Sequence, residues 1–219
     1  MLNEIAFPII KIKLLFSLLK LNKKLRSNIL LNDRLVVQNK KKIAITGHTQ
    51  GLGKALYNHY LSTGFVVEGF SRTNGYDIGD PVARARLVEQ LADHDIFINN
   101  AQSAFAQTDL LYAVFERWQK QSKTIVNISS NASDGIKNFP YPYATSKTAL
   151  DKACEQLNNT PRSLCKVVNI RPGWIATERI KEMRITDPCL EVKTIVEIID
   201  FILELPTNIH ITSLSISAR

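Results

Sequence analysis

From Lys42 onward, short runs of β-branched and apolar residues alternate with stretches of helical periodicity. This alternation is typical of βαβ units, in which parallel strands form one sheet covered by helices. We expect strands at residues 42–46, 65–70, 95–99, 124–128 and 166–170, with a weaker candidate at 209–212. We expect helices at residues 52–62, 81–92, 108–120, 143–158 and 189–204. The sequence therefore predicts one α/β domain with a doubly wound parallel sheet.

The connection between the first predicted strand and the first helix is rich in glycine. It reads Thr46-Gly47-His48-Thr49-Gln50-Gly51-Leu52-Gly53. Glycines permit a tight turn and a close approach of the backbone to a pyrophosphate, and the N-terminus of the following helix offers free N–H groups. No Gly-Lys-Ser/Thr sequence follows, which disfavours phosphoryl transfer. The segment predicts a dinucleotide-binding turn, and the alternative is that the glycines serve the turn alone.

Polar residues follow two later strands. Asn99-Asn100-Ala101 ends the strand that begins at Asp95, and Ser129-Ser130 ends the strand that begins at Thr124. Ligands of open α/β sheets bind at the carboxyl ends of strands, so we expect these residues near a site.

Tyr143 and Lys147 stand at the start of a predicted helix. A spacing of four residues places them on one helical face. Such a pair also arises by chance, and the alternative is a pair that faces solvent.

Taken in order, these segments resemble the short-chain dehydrogenases/reductases. The resemblance covers about residues 42–215 and includes the segment Arg171-Pro172-Gly173-Trp174-Ile175-Ala176-Thr177 after a late strand. It implies a single Rossmann-type doubly wound parallel sheet flanked by helices. It also implies an NAD(P)-dependent oxidoreductase that interconverts alcohols and carbonyl compounds.

The resemblance implies a role for each matching residue. Ser130, preferred to Ser129, would polarise a substrate carbonyl. Tyr143 would be the acid/base, and Lys147 would hold the nicotinamide ribose and lower the pKa of Tyr143. The cofactor-binding residues it implies are Thr46, Gly47, Gln50, Gly51, Leu52, Gly53, Ser71, Arg72, Asp77, Ile78, Asn99, Asn100, Ala101, Pro172, Gly173, Trp174 and Thr177.

Within that set, three groups have more specific expected contacts. Thr177 and the Pro172–Gly173 turn would meet the nicotinamide amide. Asn99 and Ala101 would border the adenosine ribose, and Asp77-Ile78 would contact the adenine, although Asp77 also suits a simple turn.

The end of the second strand indicates which cofactor is used. It reads Gly69-Phe70-Ser71-Arg72-Thr73 and lacks the acidic residue that binds both ribose hydroxyls of NAD. Ser71 and Arg72 suit a 2′-phosphate, so NADP(H) is favoured over NAD(H). The alternative is that Arg72 is a solvated loop residue.

Three departures from the family pattern bear on function. The segment between Ala101 and Thr124 is short and has no match for the active-site asparagine of the family. Gln102 replaces a glycine, and the stretch after Thr177 leaves little room for a substrate lid. We expect a compact member of the family with a shortened substrate region, acting on a small carbonyl or alcohol. The alternative is a non-catalytic NADP-binding regulatory protein of the same fold.

The positive charge is confined to the N-terminus. Residues 1–42 hold ten Lys or Arg and two acidic residues, whereas residues 43–219 hold 18 of each. The zero net charge of residues 43–219 argues against a nucleic-acid-binding domain. We therefore predict an N-terminal extension at residues 1–41 and the catalytic domain at residues 42–219.

Residues 9–26 of the extension combine isoleucines and leucines with lysines. Lysines interrupt the apolar run before it could span a bilayer. Three interpretations stay open: a helix for weak membrane-surface contact or organelle targeting, a helix docked on the domain or a partner, and a tail without function. We expect a cytoplasmic protein, with peripheral membrane or organelle targeting as the alternative, and a homo-oligomer as one potential assembly.

Cysteines and histidines indicate neither a disulfide framework nor a metal site. Cys154, Cys165 and Cys189 are odd in number and far apart, which fits a reducing compartment. The four histidines lack paired ligand spacing, so we expect no metal.

Overall fold

The computed structural model describes residues 40–136 and 138–219. The predicted extension lies outside the described residues except for Lys40 and Lys41, so its interpretations stay predictions. No helix within the described part of the chain is long and apolar enough to cross a membrane.

One parallel sheet organises the described residues. Its strands are β1 (Lys42–Thr46), β2 (Val66–Phe70), β3 (Ile96–Asn99), β4 (Thr124–Ile128), β5 (Lys166–Pro172) and β6 (Ser213–Ile216). They lie in the order β2-β1-β3-β4-β5-β6, and each neighbouring pair is parallel. The chain reverses its winding direction between β1 and β3, and ligands of open α/β sheets bind outside the carboxyl ends of strands at such a point.

Helices cover both faces of the sheet. They are α1 (Gly51–Ser62), α2 (Pro81–Gln90), α3 (Ala106–Trp118), α4 (Pro142–Asn158), α5 (Glu178–Glu182) and α6 (Val192–Leu203). Successive strand residues point to opposite faces, so Ile43 and Ile45 belong to one core and Ala44 to the other. The core on the Ala44 side takes residues from α2, α3 and α4, and the opposite core takes residues from α1 and α6. The predicted fold class is confirmed.

Local signals account for several boundaries. Asp80 caps α2, because its carboxylate accepts hydrogen bonds from the N–H groups of Val82 and Ala83, and Pro81 occupies the first helical position. Gly64 follows the end of α1 with φ +88°, a conformation that glycine adopts readily.

Two elements differ from prediction. The last strand was expected at residues 209–212 and lies at Ser213–Ile216. As an edge strand it leaves two of its four residues exposed and the other two only half-buried, so its hydrophobic pattern is weak. The short helix α5 was not predicted, because five residues carry too little periodicity to reveal a helix.

Candidate active site

Thr46, the last residue of β1, joins the glycine-rich turn to the end of β3. Its hydroxyl oxygen accepts hydrogen bonds from the N–H groups of Asn100 and Ala101, both at 3.0 Å. The Asn100 amide donates to the carbonyl of Thr46 at 2.9 Å. These contacts hold two predicted cofactor-binding segments together between β1 and β3, where the strand order reverses.

The turn is shaped by close backbone approaches. A Cβ atom on Gly53 would lie 2.1 Å from the carbonyl oxygen of Gly47 and 2.6 Å from the amide nitrogen of Asn100. Gly47 has φ +70°, a conformation that disfavours residues with a Cβ. Side chains are therefore excluded from the inside of this turn, which leaves the backbone N–H groups as the available ligand contacts.

The other predicted residues of the turn divide by side-chain direction. Gln50 precedes α1 and is exposed, whereas the Leu52 side chain is buried in the core, so Leu52 offers only its main chain. A Cβ on Gly51 would lie 3.5 Å from a methyl carbon of Thr177. The start of α1 thus meets the predicted nicotinamide-side residue Thr177.

Ser71 and Arg72 follow β2 and differ in availability. Ser71 is buried, and its hydroxyl is hydrogen-bonded to Thr73 and Asn74. Arg72 is exposed, and its side chain forms no hydrogen bond or ion pair with the rest of the described chain. Of the two residues expected to bind a 2′-phosphate, only Arg72 has all its side-chain donors available.

Asp77 and Ile78 form the next connection. The carboxylate of Asp77 is exposed and accepts a hydrogen bond from the N–H of Gly79 at 2.9 Å, as in an Asx turn. Ile78 is buried in the core. The alternative role of Asp77 as a turn residue is therefore present in the structure.

Asn99 points its side chain into the protein. It is fully buried, and its amide donates to the carbonyl of Gln107 at 3.0 Å and to the side-chain oxygen of Asn127 at 2.9 Å. The expected contact of Asn99 with an adenosine ribose is therefore restricted to its main chain.

Ser130 and Tyr143 meet beyond the end of β4. Their side chains lie close together, and the Ser130 hydroxyl accepts from the N–H of Ala132 at 3.1 Å and donates to the carbonyl of Pro172 at 3.5 Å. The neighbouring Ser129 is buried and donates to Asp151 at 2.5 Å. Ser130 is thus the serine that contacts the tyrosine.

Lys147 lies one turn after Tyr143 on α4 and is 3% exposed. Its Nζ donates to the side-chain oxygen of Gln107 at 2.8 Å and to the carbonyl of Ile128 at 2.9 Å. The ammonium lies 5.6 Å from the centre of the Tyr143 ring. Burial lowers the pKa of Lys147 to about 8, and the charge of Asp151 opposes that shift.

The pKa of Tyr143 does not follow the expected direction. Burial raises the pKa of Tyr143 above its ordinary value, and the neighbouring Ser130 hydroxyl only opposes this effect. We expected Lys147 to lower this pKa. That expectation is not met in this structure, where the lysine ammonium is bonded to Gln107 and Ile128.

A buried polar cluster that the sequence analysis missed lies behind the Ser130 segment. Its centre is the Asp151 carboxylate, which accepts hydrogen bonds from four side chains, two in the connection after β4 and two on β5. The donors are Ser129, Ser133, Asn169 and Arg171, at 2.5, 2.5, 2.8 and 3.0 Å. This Asp151 cluster ties α4 to β5 and to the turn that carries Ser130.

The segment after β5 forms the far side of the site. The N–H of Gly173 donates to the carbonyl of Ile216 at 2.7 Å, which continues the pairing of Pro172 with that residue in β6. Trp174 is half-buried, and its indole N–H donates to Asp187 at 3.0 Å. Thr177 is the residue just before α5, and its hydroxyl does not cap that helix.

Aromatic rings and a groove adjoin Tyr143. The Tyr141 ring lies 5.8 Å from that of Tyr143 and 5.9 Å from that of Phe139. A cavity of about 610 Å³ is lined by Phe139 and Tyr141 together with residues such as Phe105 and Ile136. Apolar side chains therefore flank the start of α4. Over the described residues, no cluster of three His, Cys, Asp or Glu side chains could hold a metal ion.

Comparison with known proteins identifies the family. A family model described as short chain dehydrogenase matches residues 85–187, which include the predicted serine, tyrosine and lysine. This match, together with the shared fold, supports membership of the short-chain dehydrogenase family. Among curated proteins, none matches the sequence.

Solved structures of dehydrogenases share the fold of this chain. One from Burkholderia cenocepacia J2315, in complex with NADP, is 18% identical, with a TM-score of 0.67 over 82% of this chain and 89% of that chain. A 3-alpha-hydroxysteroid dehydrogenase from Pseudomonas sp. B-0831, complexed with NADH, is 21% identical, with a TM-score of 0.66 over 81% and 95%. A 4-hydroxyisoleucine dehydrogenase mutant complexed with NADH and succinate is 22% identical, with a TM-score of 0.70 over 81% and 97%.

The predictions of family and enzyme class, an oxidoreductase of this family, are confirmed. The individual roles of the site residues, the choice between the two nicotinamide cofactors and the cellular location stay predictions.

Proposed function

We propose that this short-chain dehydrogenase is an NADP(H)-dependent oxidoreductase that transfers a hydride between nicotinamide and a small carbonyl or alcohol substrate. The observation that carries the proposal is the grouping of Ser130, Tyr143 and Lys147 beyond the end of β4. The serine and tyrosine side chains lie close together, and the lysine ammonium lies 5.6 Å from the tyrosine ring.

The glycine turn fits the phosphates of such a cofactor. Its inner surface is free of side chains, because a Cβ on Gly53 would lie 2.1 Å from a backbone oxygen. The N-terminus of α1 adds the positive end of the helix dipole. Thr46 and Asn100 hold the adjoining ends of β1 and β3 in place.

Arg72 supports NADP(H) as the cofactor. Its guanidinium is exposed and has donors available for a 2′-phosphate. The segment Ser71-Arg72-Thr73-Asn74 contains no carboxylate that would repel this phosphate. The same absence removes the usual acceptor for the ribose hydroxyls of NAD.

The side chains at the carboxyl end of β4 would perform the proton chemistry. Hydride transfer is the chemistry that the nicotinamide supplies when bound. Tyr143 would donate its hydroxyl proton to the carbonyl oxygen as negative charge develops there, and Ser130 would donate a hydrogen bond to the same oxygen. Lys147 would bind the ribose with its remaining N–H.

The comparisons do not favour the alternative of a non-catalytic regulatory protein. The retained Ser130, Tyr143 and Lys147 set supports catalysis, since a protein that only bound the nucleotide would not need the tyrosine hydroxyl.

A matched pair of variants tests the proposal. The full chain is mixed with NADPH and a panel of small aldehydes and ketones, and the loss of reduced nicotinamide absorbance is followed. Tyr143→Phe should reduce turnover by about a hundredfold or more, which corresponds to about 2.7 kcal/mol of transition-state stabilisation. Tyr141→Phe removes a hydroxyl two residues earlier and should retain turnover. Equal rates for the parent and Tyr143→Phe would remove the assigned acid/base.

A further inference from the structure

Lys147 is held by two acceptors from different elements. One is the side-chain oxygen of Gln107, from the first turn of α3, and the other is the carbonyl oxygen of Ile128, from the last residue of β4. A lysine ammonium has three N–H donors. Two are therefore used within the protein, and one remains for a ligand.

The orientation of the Gln107 amide is dictated by its surroundings. Its nitrogen donates to the carbonyl oxygens of Asn99 at 2.7 Å and Ile128 at 3.1 Å. A flipped amide would place its oxygen against these two carbonyls and its NH₂ against the Lys147 ammonium, so every contact would become repulsive. The amide oxygen consequently faces Lys147.

Gln107 itself is anchored on both its side chain and its main chain. It is 2% exposed, and its carbonyl accepts the hydrogen bond from the Asn99 amide at 3.0 Å. Asn99 in turn donates to Asn127 at 2.9 Å, so β3, β4 and α3 meet at this point. Apart from its bond to Lys147, Gln107 is held by two side-chain hydrogen bonds and one main-chain hydrogen bond, and a side chain fixed in this way can fix the position of its neighbour.

We propose that Gln107 is a positioning residue for the reaction, which acts by holding the Lys147 ammonium through a direct amide–ammonium hydrogen bond. This role rests on the proposed function, because it concerns the lysine that would bind the cofactor ribose. It also assigns a residue to the segment in which the sequence shows no match for the asparagine of the family.

The choice of an amide has a physical consequence. An amide oxygen compensates part of the desolvation of the buried ammonium without adding a negative charge. A carboxylate at the same distance would pair with the ammonium and compete for the N–H that faces a ligand. Asp151, the charged group that acts on Lys147 from α4, has its oxygens occupied by other donors, and Tyr143 presents its ring.

A double-mutant cycle on the full chain tests the proposal. The dissociation constant for NADPH is measured for the parent, Gln107→Met, Lys147→Met and the double variant. Methionine has a similar length and lacks the amide. If Gln107 acts through Lys147, Gln107→Met should weaken binding by about tenfold in the parent and by less than about twofold in the Lys147→Met background.

The double-mutant cycle has a control variant and a result that would overturn the proposal. Gln121→Met makes the same change at an exposed position near the end of α3 and should leave binding unchanged. Equal losses from Gln107→Met in both backgrounds would overturn the proposal, because Gln107 would then act through its contacts with Asn99 and Ile128 alone.

A second readout separates this proposal from the function on which it rests. The titration of Lys147 is followed by NMR, with its signal assigned by its loss in Lys147→Met. Gln107→Glu should raise the titration midpoint, because a carboxylate beside the ammonium favours the charged form. An unchanged titration midpoint of Lys147 would show that Gln107 does not act on the ammonium and would overturn the proposal. If the parent binds neither NADPH nor NADH, the proposed function fails, and this titration still decides whether Gln107 holds Lys147.

Discussion

The two halves of the candidate site are built by different means. The turn half, residues 46–53, offers ligand contacts through its backbone, because its glycines keep the inside of the turn free of side chains. The catalytic half contains the buried Ser130 and Lys147 and the half-buried Tyr143, and the polar atoms of Ser130 and Lys147 are hydrogen-bonded to supporting groups. A turn of this kind tolerates side-chain changes that add no atoms inside it, whereas the catalytic half depends on each polar partner.

This difference follows from the task of each half. Backbone N–H groups at a helix N-terminus suit a phosphate, which needs several donors and no proton transfer. Proton transfer needs a particular titratable atom in a particular place, and buried hydrogen bonds supply that precision. The four predictions below test the contrast, from the largest expected effect to the smallest.

The largest effect is expected from removing the centre of the Asp151 cluster. Asp151→Ala leaves the buried Ser129 and Asn169 and the partly buried Ser133 and Arg171 without a shared acceptor. Breaking such a buried charge pair should reduce the free energy of unfolding by about 3 kcal/mol in urea denaturation. Glu155→Ala, one turn further along α4, removes only an exposed pair with Lys152 and should leave the midpoint unchanged. Equal midpoints for both variants would show that the cluster is dispensable.

A smaller loss is expected in the turn half when an atom is added. Gly53→Ala places a Cβ 2.1 Å from the Gly47 carbonyl oxygen, so the turn must shift. We expect a destabilisation of about 1–3 kcal/mol and at least about tenfold weaker NADPH binding, measured by thermal unfolding and calorimetric titration. A Cβ on Gly135 would have no atom within 4 Å, so Gly135→Ala should match the parent in stability and in NADPH binding. Parent-like NADPH binding by Gly53→Ala would argue against the turn as the phosphate site.

Arg72 is the side chain that we expect to select NADP(H) over NAD(H). Arg72→Ser should weaken NADPH binding by about tenfold, or about 1.4 kcal/mol, because a charged partner of the 2′-phosphate is lost. The affinity for NADH should stay the same. Parallel titrations with both nucleotides check this, and a proportional loss for both would assign Arg72 a role unrelated to the 2′-phosphate.

The smallest effect is expected at the opposite end of the strands, away from both halves of the site. Burial lowers the pKa of His94 below 6.5, even though Glu68 lies 3.2 Å away. The unfolded chain therefore takes up a proton more readily, so this contribution to stability is complete above about pH 6.5 and is lost as the pH falls. His94→Gln should flatten the decline in unfolding free energy between about pH 8 and about pH 5. An identical decline in parent and variant would exclude His94 as its source.

The sequence predicts the turn half well because its signals are local. Glycine positions between a buried strand and a helix are visible in eight consecutive residues, and the structure places Thr46, Gly47 and Gly53 in one tight turn. Tyr143 and Lys147 were likewise predicted on one face of a helix, where they lie four residues apart on α4.

The supporting groups of the catalytic half were not predictable in the same way. Gln107 and Asp151 are ordinary polar residues within helices, and their importance arises from contacts across 40 and 20 positions of the chain, to Lys147 and Arg171. Buried polar groups must be paired, but the sequence does not reveal which polar residues are buried. The direction of the Asn99 side chain was missed for the same reason.

The central claim is that the two halves together bind a nicotinamide cofactor, and calorimetric titration of the full chain with NADPH and NADH tests it most directly. The account predicts saturable binding of NADPH and weaker binding of NADH. A folded chain that binds neither nucleotide would contradict it.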